Sequence, residues 1–193
     1  METKSIMIVG VGGQGTLLAS RLLGNALLSK NYDVKVSEVH GMSQRGGSVV
    51  TYVKYGSKVA SPIVALGEAD LILSFEQLEA ARWLPYLKKG GTIITNTQKM
   101  DPMPVVMGAA EYPHDILDAI RAKGVNLVAV DALSMAVEAG SAKAVNVALI
   151  GVMARNMDLE KQVWKDTIAA TVPAKFLEMN EKAFELGYAS QGE

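Results

Sequence analysis

The chain has 193 residues, of which 49% are hydrophobic, so it is long enough and apolar enough to bury the core of one domain. Its 19 basic and 20 acidic side chains leave a formal net charge of -1, which gives no electrostatic reason to bind nucleic acid. It has no cysteine, which excludes disulfides, thiolate nucleophiles and cysteine-held zinc or iron–sulfur centres on these residues.

The first apolar segment, residues 5–9, is a short continuous run closed by Gly10, which is typical of a strand buried on both faces of a parallel sheet. This segment is far shorter than the roughly 20 residues that span a bilayer, and it leads directly into a glycine loop. We therefore expect a central first strand in a cytoplasmic protein with no signal peptide and no membrane segment.

A helix and two further strands are predicted next. Thr16 is expected to cap a helix whose apolar positions recur at helical spacing and which ends before Asn31. Residues 32–37 supply a second strand, and residues 38–48 form a polar, glycine-rich loop. Residues 49–55 then have the pattern of a strand, although an ordinary Rossmann unit has a helix at this point. The order therefore departs from the dinucleotide-binding pattern.

The rest of the chain alternates strands and helices before a long helical part. We predict strands at 69–75, 91–96 and 125–130, helices at 76–87 (broken late by Pro85) and 113–123, an irregular segment at 100–104, and helices from 132 to 186. This alternation implies a doubly wound α/β fold with a mostly parallel sheet, a Rossmann-like start and a helical C-terminal part. No repeat or linker divides it, so residues 1–193 are predicted to form a single domain.

The sequence Gly10-Val11-Gly12-Gly13-Gln14-Gly15 matches the pattern G-x-G-x-x-G between the first predicted strand and helix. Backbone N–H groups and the positive end of the helix dipole can hold an anion there. Gly10, Gly12, Gly13, Gln14 and Gly15 are therefore predicted to bind a phosphate-bearing ligand. The alternative is that these glycines only permit a tight turn and close packing.

Two further features follow the second predicted strand. Glu38 stands about where an acid would contact the ribose of NAD, which taken alone favours a dehydrogenase. Arg45 offers a planar, charged fork to a phosphate or carboxylate, and Ser43, Gln44 and Ser48 add hydrogen-bonding groups. We predict that an anionic ligand or a partner loop is bound by Ser43, Gln44, Arg45 and Gly46.

The remaining polar candidates are assigned mostly structural roles. His40 lacks the accompanying residues of a catalytic triad, so a hydrogen-bonding role is expected, and no metal site is predicted. Glu76 and Glu79 fall in the first turn of a predicted helix, where capping and solvation explain carboxylates. Asn146 interrupts an apolar helical segment, so its buried amide must find partners and could tie a loop to the core.

Three segments carry a resemblance to a known family. They are Gly10-Val11-Gly12-Gly13-Gln14-Gly15-Thr16, Ser37-Glu38-Val39-His40-Gly41-Met42-Ser43-Gln44-Arg45-Gly46-Gly47 and, more weakly, Asn146-Val147-Ala148-Leu149-Ile150-Gly151. Over essentially its whole length the chain resembles the gamma domain of pyruvate:ferredoxin oxidoreductases and, within that family, the beta subunits of indolepyruvate:ferredoxin oxidoreductases.

This resemblance implies a subunit of an enzyme that oxidatively decarboxylates an arylpyruvate to an aryl-acetyl coenzyme A and reduces ferredoxin. It implies thiamine diphosphate and iron–sulfur clusters on a larger alpha subunit, because this chain has neither cysteines nor a Gly-Asp-Gly segment followed by Asn. No catalytic residue is expected on this chain. The two glycine loops are expected to help bind coenzyme A or to seat the partner.

Two other interpretations remain open at this point. A free-standing NAD(P)-dependent oxidoreductase or dinucleotide-binding module is favoured by the glycine pattern and Glu38, and disfavoured by the second loop and the missing catalytic set. A purely structural subunit, whose loops are only buried against a larger chain, would explain the apolar late helices without any ligand.

Overall fold

The computed structural model describes residues 2–40 and 46–190, with the side chain of His40 left out. The strands are β1 (Lys4–Val11), β2 (Asp33–His40), β3 (Ser48–Gly56), β4 (Ala69–Ser74), β5 (Leu87–Asn96) and β6 (Asn126–Val130). The helices are α1 (Thr16–Ser29), α2 (Gln77–Trp83), α3 (Met103–Val106), α4 (Ile116–Arg121), α5 (Ala132–Ala139), α6 (Val145–Arg155), α7 (Lys161–Thr171) and α8 (Leu177–Ala189). Short 3-10 turns occur at Leu84–Tyr86, Ala142–Ala144 and Ala174–Phe176.

The six strands form one mixed sheet in the order β2-β3-β1-β4-β5-β6. β3 is antiparallel to both of its neighbours, whereas β1, β4, β5 and β6 pair in parallel. The sheet is therefore mostly parallel, and with α5 to α8 at the C-terminal end it confirms the predicted α/β class with a helical C-terminal part. The predicted strand at 49–55 is also confirmed, and it is inserted between the first two strands.

Helices cover both faces of the sheet. Ile6 and Ile8 of β1 pack into a cluster with α1 and the C-terminal helices, while Met7 and Val9 pack into a second cluster with α2 and α4. β1 is thus buried on both faces, as its continuous apolar run predicts. No helix within the described residues has the length and apolar character needed to cross a bilayer.

α6 lies in the centre of the helical layer, and every residue from Val145 to Ala154 is buried. It packs against α8 at a crossing where both helices have a glycine. A Cβ atom at Gly151 would lie 2.2 Å from the carbonyl oxygen of Phe184, and one at Gly187 would lie 1.9 Å from that of Ala148. The two backbones therefore touch where no side chain larger than hydrogen fits.

The predicted start of the first helix was wrong in one respect. Thr16 is the first helical residue, and Gly15 occupies the N-cap position with φ 86° and no capping side chain. The left-handed conformation of Gly15 turns the chain out of the glycine loop and into α1. The N-cap is therefore Gly15, one residue before the threonine that was expected to cap the helix.

Other boundaries also differ from the prediction, among them the start of β5, which begins at Leu87 within the helix expected at 76–87. β2 continues to His40 and so removes 38–40 from the predicted loop, because Glu38 and Val39 pair with Thr51 and Val50 of β3. The helix expected at 113–123 is shorter, at Ile116–Arg121, because Asp115 adopts a left-handed conformation with φ 55°. The segment expected to be irregular at 100–104 contains the start of α3, which Pro102 and Pro104 permit because proline is tolerated in a first turn.

The contact between α6 and α8 predicts that an alanine is destabilising at this crossing, whereas an alanine in a helix away from the crossing is not. Gly187→Ala should lower the free energy of unfolding by about 3 kcal/mol, because the helices must separate to admit the methyl group. Gly24→Ala in α1 meets only Val36, at 4.0 Å, and should be neutral or stabilising by up to about 1 kcal/mol through helix propensity. Urea unfolding of both variants measures the difference, and equal losses would contradict the close contact.

Candidate functional site

The glycine turn between β1 and α1 has a backbone that side chains would disrupt. Gly13 and Gly15 have φ values of 102° and 86°, in the region that favours glycine. A Cβ atom at Gly10 would lie 2.9 Å from both the Gln14 side chain and Cβ of Phe75, so Gly10 is needed for close packing. These glycines thus permit both the tight turn and the close packing that were expected of them. Binding of an anionic ligand at the turn stays a prediction.

Gln14 connects the ends of two neighbouring strands through its side chain. Its Oε1 accepts a hydrogen bond from the N–H of Val11 at 2.8 Å, and its Nε2 donates to the carbonyl of Phe75 at 3.1 Å. The Phe75 N–H in turn donates to the carbonyl of Val9 at 2.9 Å. The amide of Gln14 therefore holds the turn in shape, and any contact with a ligand has to coexist with these bonds.

The glycine turn at 10–15 and the second glycine segment, by which we mean Gly46 and Gly47, are directly hydrogen-bonded to each other. The N–H of Gly12 donates to the carbonyl of Gly47 at 2.9 Å, and the N–H of Gly46 donates to the carbonyl of Gly12 at 3.4 Å. These bonds extend the antiparallel ladder of β1 and β3, whose last pair is Val11 with Ser48. Gly46 therefore lies beside the turn with which it was predicted to act.

Ser43, Gln44 and Arg45 lie outside the described residues, so their predicted role in binding an anion or a partner remains a prediction. His40 ends β2, and its backbone pairs with Val49 of β3.

Asn146 ties the turn to the helical layer, which confirms the role predicted for its buried amide. Asn146 is only 6% exposed, and its side-chain Nδ2 donates to the carbonyl of Gly15 at 3.3 Å. Its Oδ1 accepts from the N–H of Val147 at 2.9 Å. A Cβ atom at Gly15 would lie 2.7 Å from the Asn146 Nδ2, so the tie itself requires a glycine at residue 15.

A groove of about 680 Å³ opens over the glycine turn. It is lined by Gly12, Gly13, Gln14, Gly15, Gln98, Met100, Leu133, Ala142, Lys143 and Val145. Within the part of the chain that the structure describes, the N–H groups of Gly13, Gly15 and Thr16 have no hydrogen-bond acceptor. Backbone donors at a helix start, together with the Lys143 ammonium, can attract a phosphate or carboxylate group.

Sequence reasoning did not identify Gln98 and Lys143 as candidates for this groove. Gln98 follows β5, and Lys143 lies in the 3-10 turn before α6, so both reach the groove only through the tertiary fold. No motif surrounds either residue in the sequence, and a signal for them could come only from the strand order.

Glu38 does not stand beside the glycine turn as the dinucleotide pattern requires. β3 is inserted between β1 and β2, so the strand that carries Glu38 is the outer strand of the sheet. The Glu38 carboxylate accepts a hydrogen bond from the Ser20 hydroxyl of α1 at 2.9 Å. The expectation that Glu38 supports a dehydrogenase geometry is therefore not met, because of the inserted strand.

Two buried carboxylates organise the start of α2. Glu76 caps the helix by accepting from the N–H of Glu79 at 3.0 Å, as predicted, and it also accepts from the Tyr112 hydroxyl and from the N–H of Met100. The solvation expected for Glu76 and Glu79 was wrong, because they are only 1% and 4% exposed. Burial and the hydrogen bond to Glu76 raise the pKa of Tyr112 well above its ordinary value of 10.0.

Among residues 2–40 and 46–190 no group of His, Asp and Glu side chains could hold a metal ion.

The sequence profile of the pyruvate ferredoxin/flavodoxin oxidoreductases matches residues 5–190. The chain belongs to this family. The indolepyruvate oxidoreductase subunit IorB of Thermococcus kodakarensis is 45% identical over 97% of the chain and 95% of that relative. The subunit of the same name from Archaeoglobus fulgidus is 35% identical over 95% of the chain and 93% of that relative.

Solved structures show the family fold in this chain. Pyruvate oxidoreductase subunit PORC of Thermotoga maritima has a TM-score of 0.75 at 19% identity, covering 97% of the chain and 96% of that protein. A 2-oxoglutarate:ferredoxin oxidoreductase from Magnetococcus marinus, described with 2-oxoglutarate, coenzyme A and succinyl-CoA bound, has a TM-score of 0.74 at 17% identity. The chain is covered to 98% there but spans only 31% of that longer chain.

The contact between Gly15 and Asn146 can be tested with a pair of glycine substitutions. Gly13→Ala should cost about 1 to 2 kcal/mol of stability, because only the left-handed backbone opposes it and no atom lies within 4 Å of the new methyl group. Gly15→Ala should cost about 3 kcal/mol, because the methyl group also meets Asn146. The double variant Gly15→Ala/Asn146→Ala should lose less stability than the sum of the losses in Gly15→Ala and Asn146→Ala. Urea unfolding of these variants and of Gly13→Ala provides the measurement, and a strictly additive double variant would argue against the contact.

The raised pKa of Tyr112 predicts a specific alkaline loss of stability. The phenol stays protonated in the folded chain but ionises near pH 10 when unfolded, so its contribution is complete below pH 10 and declines as the pH rises beyond it. Tyr112→Phe should therefore show a shallower decline between pH 9 and 11. Urea midpoints of both proteins across this range provide the measurement, and parallel curves would refute the assignment.

Proposed function

We propose that this chain is the cluster-free subunit of a 2-oxoacid:ferredoxin oxidoreductase that acts on indolepyruvate and related arylpyruvates. One observation carries the proposal: 45% identity to an indolepyruvate oxidoreductase subunit across 97% of the chain and 95% of that subunit. Identity that spans both chains almost end to end supports a subunit of the same kind, whereas a shared domain alone would leave part of one chain unmatched. The chain contributes to the oxidoreductase as part of a complex.

The iron–sulfur clusters of such an enzyme do not fit this chain. Iron–sulfur clusters are held by cysteine thiolates, and the 193 residues include none. Over the glycine groove the described polar groups are backbone N–H groups, amides and one ammonium, none of which ligates iron. We therefore assign the iron–sulfur clusters and the contact with ferredoxin to a larger alpha subunit. We assign thiamine diphosphate to the same subunit, because this chain has no Gly-Asp-Gly segment followed by Asn.

The role of this chain is to present its glycine segments to an anionic cosubstrate, for which we propose coenzyme A. The unpaired N–H groups of Gly13, Gly15 and Thr16 in the described residues, with Lys143 in the lining of the same groove, support binding of its phosphates. Gly10, Gly12 and Gln14 shape the turn, and Ser43, Gln44, Arg45 and Gly46 are proposed to complete the anion-binding surface. All of these groups bind and orient, and none of them reacts.

Exposed apolar side chains near the groove support an association with the larger subunit. Met103, Val106 and Met107 are each more than 60% exposed around α3, which follows β5. Val137 of α5, which follows β6, is 59% exposed. Because β5 and β6 are parallel, α3 and α5 both follow the carboxyl ends of these strands, at the same end of the sheet. Exposed apolar groups of this kind are typical of a surface that another protein covers.

The test is anaerobic purification of the tagged chain from its native cells. We expect a larger, iron-rich protein to co-purify, and the complex to reduce a viologen dye only when indolepyruvate and coenzyme A are both supplied. Protein identification, iron analysis and the dye assay provide the readouts. An iron-free chain that purifies alone and binds NAD would overturn the proposal, and activity with pyruvate but not with arylpyruvates would overturn the substrate assignment.

A further inference from the structure

Ser48 connects the second glycine segment to a carboxylate on a different element. Its hydroxyl donates to Oε2 of Glu79 in the first turn of α2, although Ser48 itself lies at the exposed start of β3. Ser48 directly follows Gly46 and Gly47, which are hydrogen-bonded to Gly12. A contact at Ser48 therefore restrains the chain directly after Gly46 and Gly47, the residues that pair with the glycine turn.

Glu79 is held rigidly enough to serve as a fixed point. The residue is only 4% exposed, and its carboxylate accepts from Arg82 Nε at 3.0 Å and from Trp83 Nε1 at 3.2 Å, besides the Ser48 hydroxyl. A buried carboxylate is stable when donors surround it in this way, and these donors restrict its orientation. The bond to Ser48 thus fixes Ser48 more than it fixes Glu79.

The start of α2 is itself attached to the glycine turn by a second route. The carbonyl of Phe75, which immediately precedes the helix cap Glu76, accepts from the side chain of Gln14 at 3.1 Å. Glu76 is anchored by Tyr112 and by the N–H of Met100, a residue that lines the groove. The chain at the start of α2 therefore contacts both glycine segments, at Phe75 through Gln14 and at Glu79 through Ser48.

We infer that Glu79 is a positioning residue which, through Ser48, sets the place of the second glycine segment against the glycine turn. The inference rests on the proposed function, since it makes binding of the anionic cosubstrate depend on that placement. Glu79 lies on α2 and is buried, and it is not among the residues that line the groove, so its effect passes through Ser48 and the Gly12–Gly47 bond.

The placement itself can be measured on the full chain without any activity. Ser48→Ala should increase amide hydrogen exchange at Gly12 and in the segment around Gly46 and Gly47, because the Gly12–Gly47 bond loses its support. Ser48→Thr keeps the hydroxyl and should exchange as the wild type does. The matched control is Ser20→Ala, which removes another serine–glutamate bond, from α1 to Glu38 of β2, that involves neither Ser48 nor Glu79, and should leave these amides unchanged. Unchanged exchange in Ser48→Ala would overturn the inference.

The consequence for function is measured on the purified complex. Ser48→Ala and Glu79→Gln should each raise KM for coenzyme A about tenfold, the scale of one lost hydrogen bond to a charged group, while kcat changes less than about twofold. Ser48→Thr should restore KM, and the double variant should be no worse than Glu79→Gln alone, since both act on one contact. A general loss of stability would not produce this separation of KM from kcat.

The outcomes separate the inference from the proposed function. A wild-type complex that lacks coenzyme A-dependent activity would refute the proposed function, and the exchange experiment would still decide whether Glu79 positions the segment. An active wild type with an unchanged KM in Ser48→Ala, or an equal rise in Ser20→Ala, would refute the role of Glu79 in cosubstrate binding. Additive effects in the double variant would show that Glu79 does not act through Ser48.

Discussion

The antiparallel pairing of β1 with β3 is the interaction on which the rest of the site depends. It continues past the last strand pair, Val11 with Ser48, into the bonds that join Gly12 to Gly46 and Gly47. Because β3 occupies the place beside β1, the partner of the glycine turn is a second glycine segment. In the dinucleotide-binding arrangement that place belongs to the strand that carries an acid. Because of the inserted strand, the glycine turn lies beside the backbone of a second glycine segment and not beside an acidic side chain.

Polar side chains hold this arrangement in place through bonds to backbone groups. Gln14 joins the ends of β1 and β4, Asn146 joins α6 to Gly15, and Glu76 caps α2. A buried amide or carboxylate is costly unless its partners are present, so these contacts favour one geometry of the turn over its alternatives. The same contacts explain why glycine is required at residue 15, where the backbone and Asn146 both exclude a side chain.

The composition of this chain agrees with the proposed division of chemistry between subunits. Without cysteine the chain has no ligands for iron–sulfur clusters, while its described groove offers N–H donors and an ammonium suited to an anion. In the function proposed above, such a subunit contributes binding and orientation, and a partner contributes the reactive groups. The exposed apolar side chains around α3 and α5 agree with a chain that is covered in a complex.

The sequence by itself determined most of the elements, though not their bounds, and the glycine turn, because hydrophobic period and glycine placement are local signals. The buried run at 5–9, the strand at 49–55 and the buried amide of Asn146 were all predicted from neighbouring residues. Only the tertiary structure decided that β3 lies between β1 and β2, that Glu38 is thereby removed from the turn, and that Gln98, Lys143 and Glu79 lie near it. Strand order and contacts across the sheet depend on pairing between distant segments, and no local pattern encodes which segments will meet.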